Sequence, residues 1–187
     1  MTRRRLALFA LLAMVGGCAR TTGPVEIPAE DLPFAVTRTR GPVDAPTTSQ
    51  SYKVYFVEND ALVELPRDLE AEGASEATVL KALLEGPREA ERAREVSTEI
   101  PAGVRLLGVR VADGVARVDL SGEFQAPAPP ERIALRVAQV VWTLTALSGV
   151  RAVSFAIDGE PVAVTTDDGA AVERRVARED YAKFAPP

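Results

Sequence analysis

Histidine is absent from this 187-residue chain, and cysteine occurs once, at Cys18. Those two gaps remove the commonest general base and the commonest metal ligand, and leave no thiolate cluster for zinc. No metal and no cofactor is therefore expected. Nor does a glycine-rich loop with a lysine offer a phosphate cradle. Aromatic residues make up only 5% of the chain, with one tryptophan. Trp142 and Tyr55 are the candidates for stacking on a sugar, but Trp142 falls beside an apolar helical stripe, which favours packing at the core boundary. Long apolar runs are missing as well, since the longest is residues 6–15 and a bilayer span takes about 20.

The N-terminus has a different pattern. Arg3, Arg4 and Arg5 precede that apolar run, and small residues follow it, the order of a secretory signal peptide. Val15-Gly16-Gly17-Cys18 resembles the lipobox of bacterial lipoproteins, which implies cleavage before Cys18 and lipid, palmitate included, on its sulfur. The lone thiol has no intramolecular disulfide partner, and two acyl chains bury enough methylenes to hold a soluble domain at a membrane. Loss of residues 1–17, which carry three arginines and no acid, takes the net charge from −5 to about −8. So acidic a chain repels phosphate backbones, so nucleic acid is not an expected partner. Attachment to the extracytoplasmic side of the cell membrane then rests on the lipid anchor.

Residues 18–51 read as a tether, with prolines at 24, 28, 33, 42 and 46 that keep the chain extended and unable to build ladders. From Lys53 the composition changes. Residues 53–57 and 61–65 are strand-like around the polar turn Glu58-Asn59-Asp60, and 66–73 reads as a charged loop. Ser75 is a fair N-cap for a helix that carries Val79, Leu80, Leu83 and Leu84 and stops at Gly86-Pro87. Residues 88–99 alternate charges and read as a solvated, partly helical connection.

The clearest local signal is Asp113-Gly114 between two β-rich runs, the favoured pair for a two-residue type I′ hairpin turn. Counting outward sets Ala112 opposite Val115, Val111 opposite Ala116, Val109 opposite Val118 and Leu107 opposite Leu120. One face is then apolar. The other carries Arg110 opposite Arg117, with Asp119 nearby, and is the candidate partner face. A second helix is expected over 131–147, with Ile133, Val137, Val140, Val141, Leu144 and Leu147 on one stripe. Residues 151–157 read as a strand that turns at Asp158-Gly159 into a last hairpin through 161–164, and Tyr181 is placed to pin the tail. Strand, helix, hairpin, helix, strand is an α+β order: a mostly antiparallel sheet with two helices on one face.

Scattered carboxylates remain as the catalytic option, since paired acids can hydrolyse glycosides. Asp113 and Asp158 are explained by their Asp-Gly turns, and Asp167-Asp168-Gly169 by a turn or a weak calcium loop. Asp119 and Ser121 sit at a strand end, where such side chains bind backbone amides. Asp119 with Glu123 is the pair left for a carboxylate-dependent cell-wall hydrolase, the alternative to a binding protein. The expectation is no catalytic residue and no enzyme.

Several motifs occur in one order. Tyr55-Phe56-Val57 comes first, then Leu83-Leu84-Glu85-Gly86-Pro87, Ile100-Pro101 and Asp113-Gly114. Val118-Asp119-Leu120-Ser121 follows, then 139–145, 153–159 and Arg178-Glu179-Asp180-Tyr181. This succession resembles the GerMN domain of sporulation and spore germination proteins, over residues 52–181 with a short tail at 182–187. The resemblance implies an α+β fold similar to ring-building motifs. It also implies a GerM-like envelope lipoprotein that binds or scaffolds a protein or peptidoglycan, without known activity. Where the family also shows tandem domains, this chain has one.

Overall fold

The computed structural model describes residues 49–70 and 75–187. The expected signal peptide, Cys18 and residues 18–48 of the expected tether lie outside the described residues, as do positions 71–74 of the expected loop.

Strand β1 (Ser49–Glu58) pairs antiparallel with β2 (Ala61–Glu70). Asn59 and Asp60 link them with φ of 51° and 60°, the left-handed pair that a two-residue I′ turn requires and that short polar side chains tolerate. Both strands run further than expected. β1 begins inside the predicted tether, and β2 passes through Pro66 rather than ending there. Pro66 lies opposite Lys53, and outward counting from the turn makes this a pair whose backbone groups point away from the partner strand. The missing N–H is thus on the open side of an edge strand, where proline does no harm.

Helix α1 (Glu76–Leu84) starts as predicted, with Ser75 Oγ accepting from the Thr78 amide, and Gly86 beyond its end takes φ 82°. A short α2 (Glu89–Arg92) follows. The next stretch is less solvated than its charges suggested: Val96 is buried, and Ser97 exchanges both backbone hydrogen bonds with Val57.

The second sheet has the order β3-β4-β5-β6. β3 (Leu106–Ala112) and β4 (Val115–Leu120) form the predicted hairpin, with Asp113 and Gly114 at φ 53° and 78°. The register agrees from the turn out to Gly108 opposite Asp119. It then shifts, so that Leu106 rather than Leu107 lies opposite Leu120. Leu107 is the extra residue of that bulge and is 47% exposed. β4 pairs in parallel with β5 (Ala152–Ile157), and β5 pairs antiparallel with β6 (Glu160–Pro161). The parallel pair follows from connectivity, because helix α3 (Pro130–Thr145) forms the crossover between β4 and β5. The Val162 amide keeps one bond to the Phe155 carbonyl of β5, but the ladder ends there, and β7 (Val164–Thr165) pairs instead with β8 (Ala171–Val172).

Helix α3 departs most from its expected pattern. A single apolar stripe predicts one buried face, yet ten of its sixteen residues are buried, Arg136, Gln139 and Thr143 among them. It packs against α1, β1, β5, β7 and a 3-10 segment at Arg178–Phe184. That last segment buries Tyr181, as expected, but also Phe184, so the core extends into the predicted tail.

Gly114 is a local test of the hairpin. Alanine there would hold left-handed backbone, at a cost of about 1–2 kcal/mol. Its methyl would also meet the Arg151 guanidinium at 2.8 Å. Arg151 can swing away, but it then loses its bond to the Asp113 carbonyl. Gly114→Ala is expected to lower the unfolding free energy by about 1–2 kcal/mol in urea titrations.

Candidate functional site

The face of the β3-β4-β5 sheet turned away from the core carries the predicted partner residues. On β4, Ala116, Val118 and Leu120 point inward and are buried, so Val115, Arg117 and Asp119 point outward. Arg117 stands between Arg110 of β3 and Ser154 of β5. Val176 pairs with Val153 on the far side of β5, which by alternation sets the exposed Arg175 on the same side as Ser154. Three arginines therefore lie along one row across the sheet, of which the sequence revealed two. Arg175 was missed because its neighbour is placed by a lone bridge with no local strand signal.

The predicted acid does not neutralise that row. Asp119 Oδ1 accepts from the Gly159 amide at 3.0 Å, tying β4 to the turn after β5. Arg110 and Arg117 form no ion pair among the described residues. Like charges directly opposite on a sheet are unfavourable, so the row is a standing cost to the fold.

β3 is the outer strand of this sheet. Because Ala112 and Val115 flank a two-residue turn, alternation points the backbone N–H and C=O of Val109 and Val111 away from β4. Neither residue's backbone finds a partner there among the described residues. Val111 is 37% exposed despite lying on the core side of the sheet, and Leu107 joins it at the bulge. An open edge, two exposed apolar side chains and the unpaired Arg110 thus share β3, with the equally unpaired Arg117 beside it on β4.

The other candidates are committed elsewhere. Asp168 Oδ1 accepts from the Thr166 hydroxyl and the Ala170 amide, closing its own turn. Ser121 Oγ accepts from the Arg105 amide. A hydrogen bond from Ser121 holds the Glu123 carboxyl below its ordinary value, the reverse of what a general acid needs. Tyr55 is buried, and its ring lies 5.5 Å from that of half-buried Trp142. The Arg178 guanidinium sits 4.4 Å over the Trp142 ring, while its Nε donates to Thr145 Oγ1. These aromatics stack on protein and anchor the C-terminal segment to α3.

Residues 53–163 match the Germane family model, described as sporulation and spore germination. Among solved structures, the tandem GerMN domains of the sporulation protein GerM from Bacillus subtilis align with a TM-score of 0.57 and 22% identity. That alignment covers 71% of this chain and 48% of the other, so the chain spans about half of the tandem structure. A Clostridium perfringens chain described as a candidate lipoprotein aligns with a TM-score of 0.51 and 14% identity, over 74% and 93% of the two chains. At such identities the likeness is one of fold, and it agrees with the α+β expectation. No curated protein matches the chain.

Proposed function

Because the chain belongs to the Germane family of sporulation and spore germination, we propose that it is a non-catalytic binding module of the cell envelope, holding an acidic protein segment along β3. Its setting in this reading is sporulation or germination, with the domain carried on the outer side of the membrane by lipid on Cys18. The likeness in fold to a chain described as a candidate lipoprotein supports that location.

One observation carries the binding proposal: the open β3 edge beside Arg110 and Arg117. A partner strand added there gains main-chain hydrogen bonds from Val109 and Val111. Leu107 and Val111 supply apolar contact. Acidic side chains on the partner relieve the repulsion between the two arginines. The engaged state of Asp119 and the lowered pKa of Glu123 count against the hydrolase alternative.

The test uses the full-length protein, extracted in detergent and cross-linked in its own envelopes. Arg117→Glu replaces a like-charge pair with an opposite one across the hairpin, so thermal stability is expected to hold or rise slightly. Partner capture is expected to fall by about tenfold or more, and by more again with Arg110→Glu added. Capture that survives both changes overturns the proposal. Sedimentation with isolated peptidoglycan, insensitive to these substitutions, points to the wall instead. A cleared band on a peptidoglycan zymogram contradicts the non-catalytic reading.

A further inference from the structure

A second site stands on different residues and does not depend on the β3 reading. Between the first half of α3, the 3-10 turn Gly122–Gln125 and the end of β5 lies a cavity of about 220 Å³. Phe124, Ile133, Ile157, Val162 and Val164 are half of its lining residues, and its one charged lining residue is Arg136.

Arg136 is 4% exposed. Its Nε donates to the Glu99 carbonyl at 2.9 Å, and Nη1 to the carbonyls of Phe124 and Ala126 at 2.7 and 2.9 Å. Nη2 has no acceptor among the described residues. Nor is it one of the sealed unpartnered atoms, which among the described residues are Trp142 Nε1 and Tyr181 Oη. The nearby acid, Glu99, gives its carboxylate to Arg132 at 2.9 Å, and Arg136 forms no ion pair among the described residues. Three carbonyls thus fix the orientation of a buried guanidinium that lies 5.9 Å over the Phe124 ring; Glu99 acts on it as a neighbouring charge only, with no direct anion contact on Nη2 among the described residues. Fully buried arginines are rarely unpaired, because a carbonyl dipole offsets the loss of hydration less well than an anion does.

We propose that this cavity binds a carboxylate borne on a short apolar group, the anion on Arg136 Nη2 and the apolar part against Ile133, Val162 and Val164. A single free guanidinium nitrogen among apolar walls suits a monoanion rather than a phosphate dianion. At about 30 Å³ per water, the space equals roughly seven waters, the size of a branched short-chain acid. The same chemistry is found in a free acid of that kind and in the C-terminal residue of a peptide ending in an aliphatic side chain.

Calorimetric titration of the detergent-extracted full chain tests this with four probes. Isovalerate stands for the free acid and N-acetylvaline for the peptide end, each paired with its neutral amide. The carboxylates are expected to bind saturably and the amides at least about tenfold more weakly, since a charge-assisted bond is lost. Binding of N-acetylvaline ahead of isovalerate assigns the peptide end, and the reverse order assigns the free acid. Arg136 also supports the fold, so the decisive variant is Val162→Trp, which fills the cavity from a half-buried position. It is expected to keep the wild-type melting temperature and lose all carboxylate binding. No saturable binding at about 10 mM of either acid, where a millimolar Kd would register, overturns the proposal. Equal affinity for the amides, or binding retained in a folded Val162→Trp, does the same.

Discussion

Arg67→Met is expected to lower the unfolding free energy by about 3–5 kcal/mol, the usual penalty for removing one member of a buried ion pair. Arg67 lies on β2 with its side chain buried, and both terminal nitrogens donate to Glu91, one to each carboxylate oxygen at 2.7 Å. Nη1 also donates to the Pro66 carbonyl, and the guanidinium sits 5.0 Å over the Phe56 ring. Methionine keeps much of the packing on Phe56 but removes the cation that both Glu91 carboxylate oxygens contact. Glu91 in turn accepts from the Arg88 amide at the start of α2, so the variant is expected to loosen that turn as well.

The same pair sets part of the response to acid. The hydrogen bond from Arg67 is the largest influence on Glu91 and holds its carboxyl below the ordinary value, against an opposing effect of burial. A carboxylate whose folded pKa is depressed adds stability that is complete above its unfolded pKa. That stability is lost as pH falls through the folded pKa. The native protein is therefore expected to weaken as pH drops below the ordinary carboxylate range, and Arg67→Met to weaken less over the same interval. Urea midpoints measured at a series of pH values check both. A loss under about 1 kcal/mol with an unchanged acid slope would mean that the pair is offset by its own desolvation.

Gln139→Leu is expected to cost about 2–4 kcal/mol through orphaned backbone groups rather than lost volume. The open edge of β1 at Tyr55 is closed by two side chains of α3 instead of by another strand. Gln139 Nε2 donates to the Tyr55 carbonyl at 3.1 Å, and the Tyr55 amide donates to Thr143 Oγ1 at 3.0 Å. Gln139 Oε1 also accepts from the Glu99 amide at 2.8 Å and the Thr98 hydroxyl at 3.2 Å. One buried carboxamide thus joins α3, β1 and the segment leading to the second sheet. Leucine has a similar volume and satisfies none of these groups. Hydrogen exchange separates the contributions: the Glu99 amide is expected to exchange faster in Gln139→Leu, and the Tyr55 amide in Thr143→Val. Protection of both amides in both variants would sink this account of the edge.

What the sequence determined by itself was the set of features with short-range causes. Ser75 caps α1 because its hydroxyl reaches an amide three residues on, and Gly86 ends the helix because it alone escapes the steric cost of φ 82°. Asp113-Gly114 made the hairpin and its register countable, and with them the opposition of Arg110 and Arg117. The succession of these pieces along 52–181 also disclosed the family. Whatever depends on a distant partner was settled by packing between elements. Pro66 is a strand residue because its missing donor faces outward, and Leu107 is expelled at a bulge because Leu106 takes the place opposite Leu120. Arg67, Arg136 and Gln139 carry no local signal of burial, since it requires acceptors 24, 37 and 84 residues away. Hydrophobic period reports which face of an element is apolar. It does not report which polar side chains the fold will surround with carbonyls, because that energy exists only once both ends are in place.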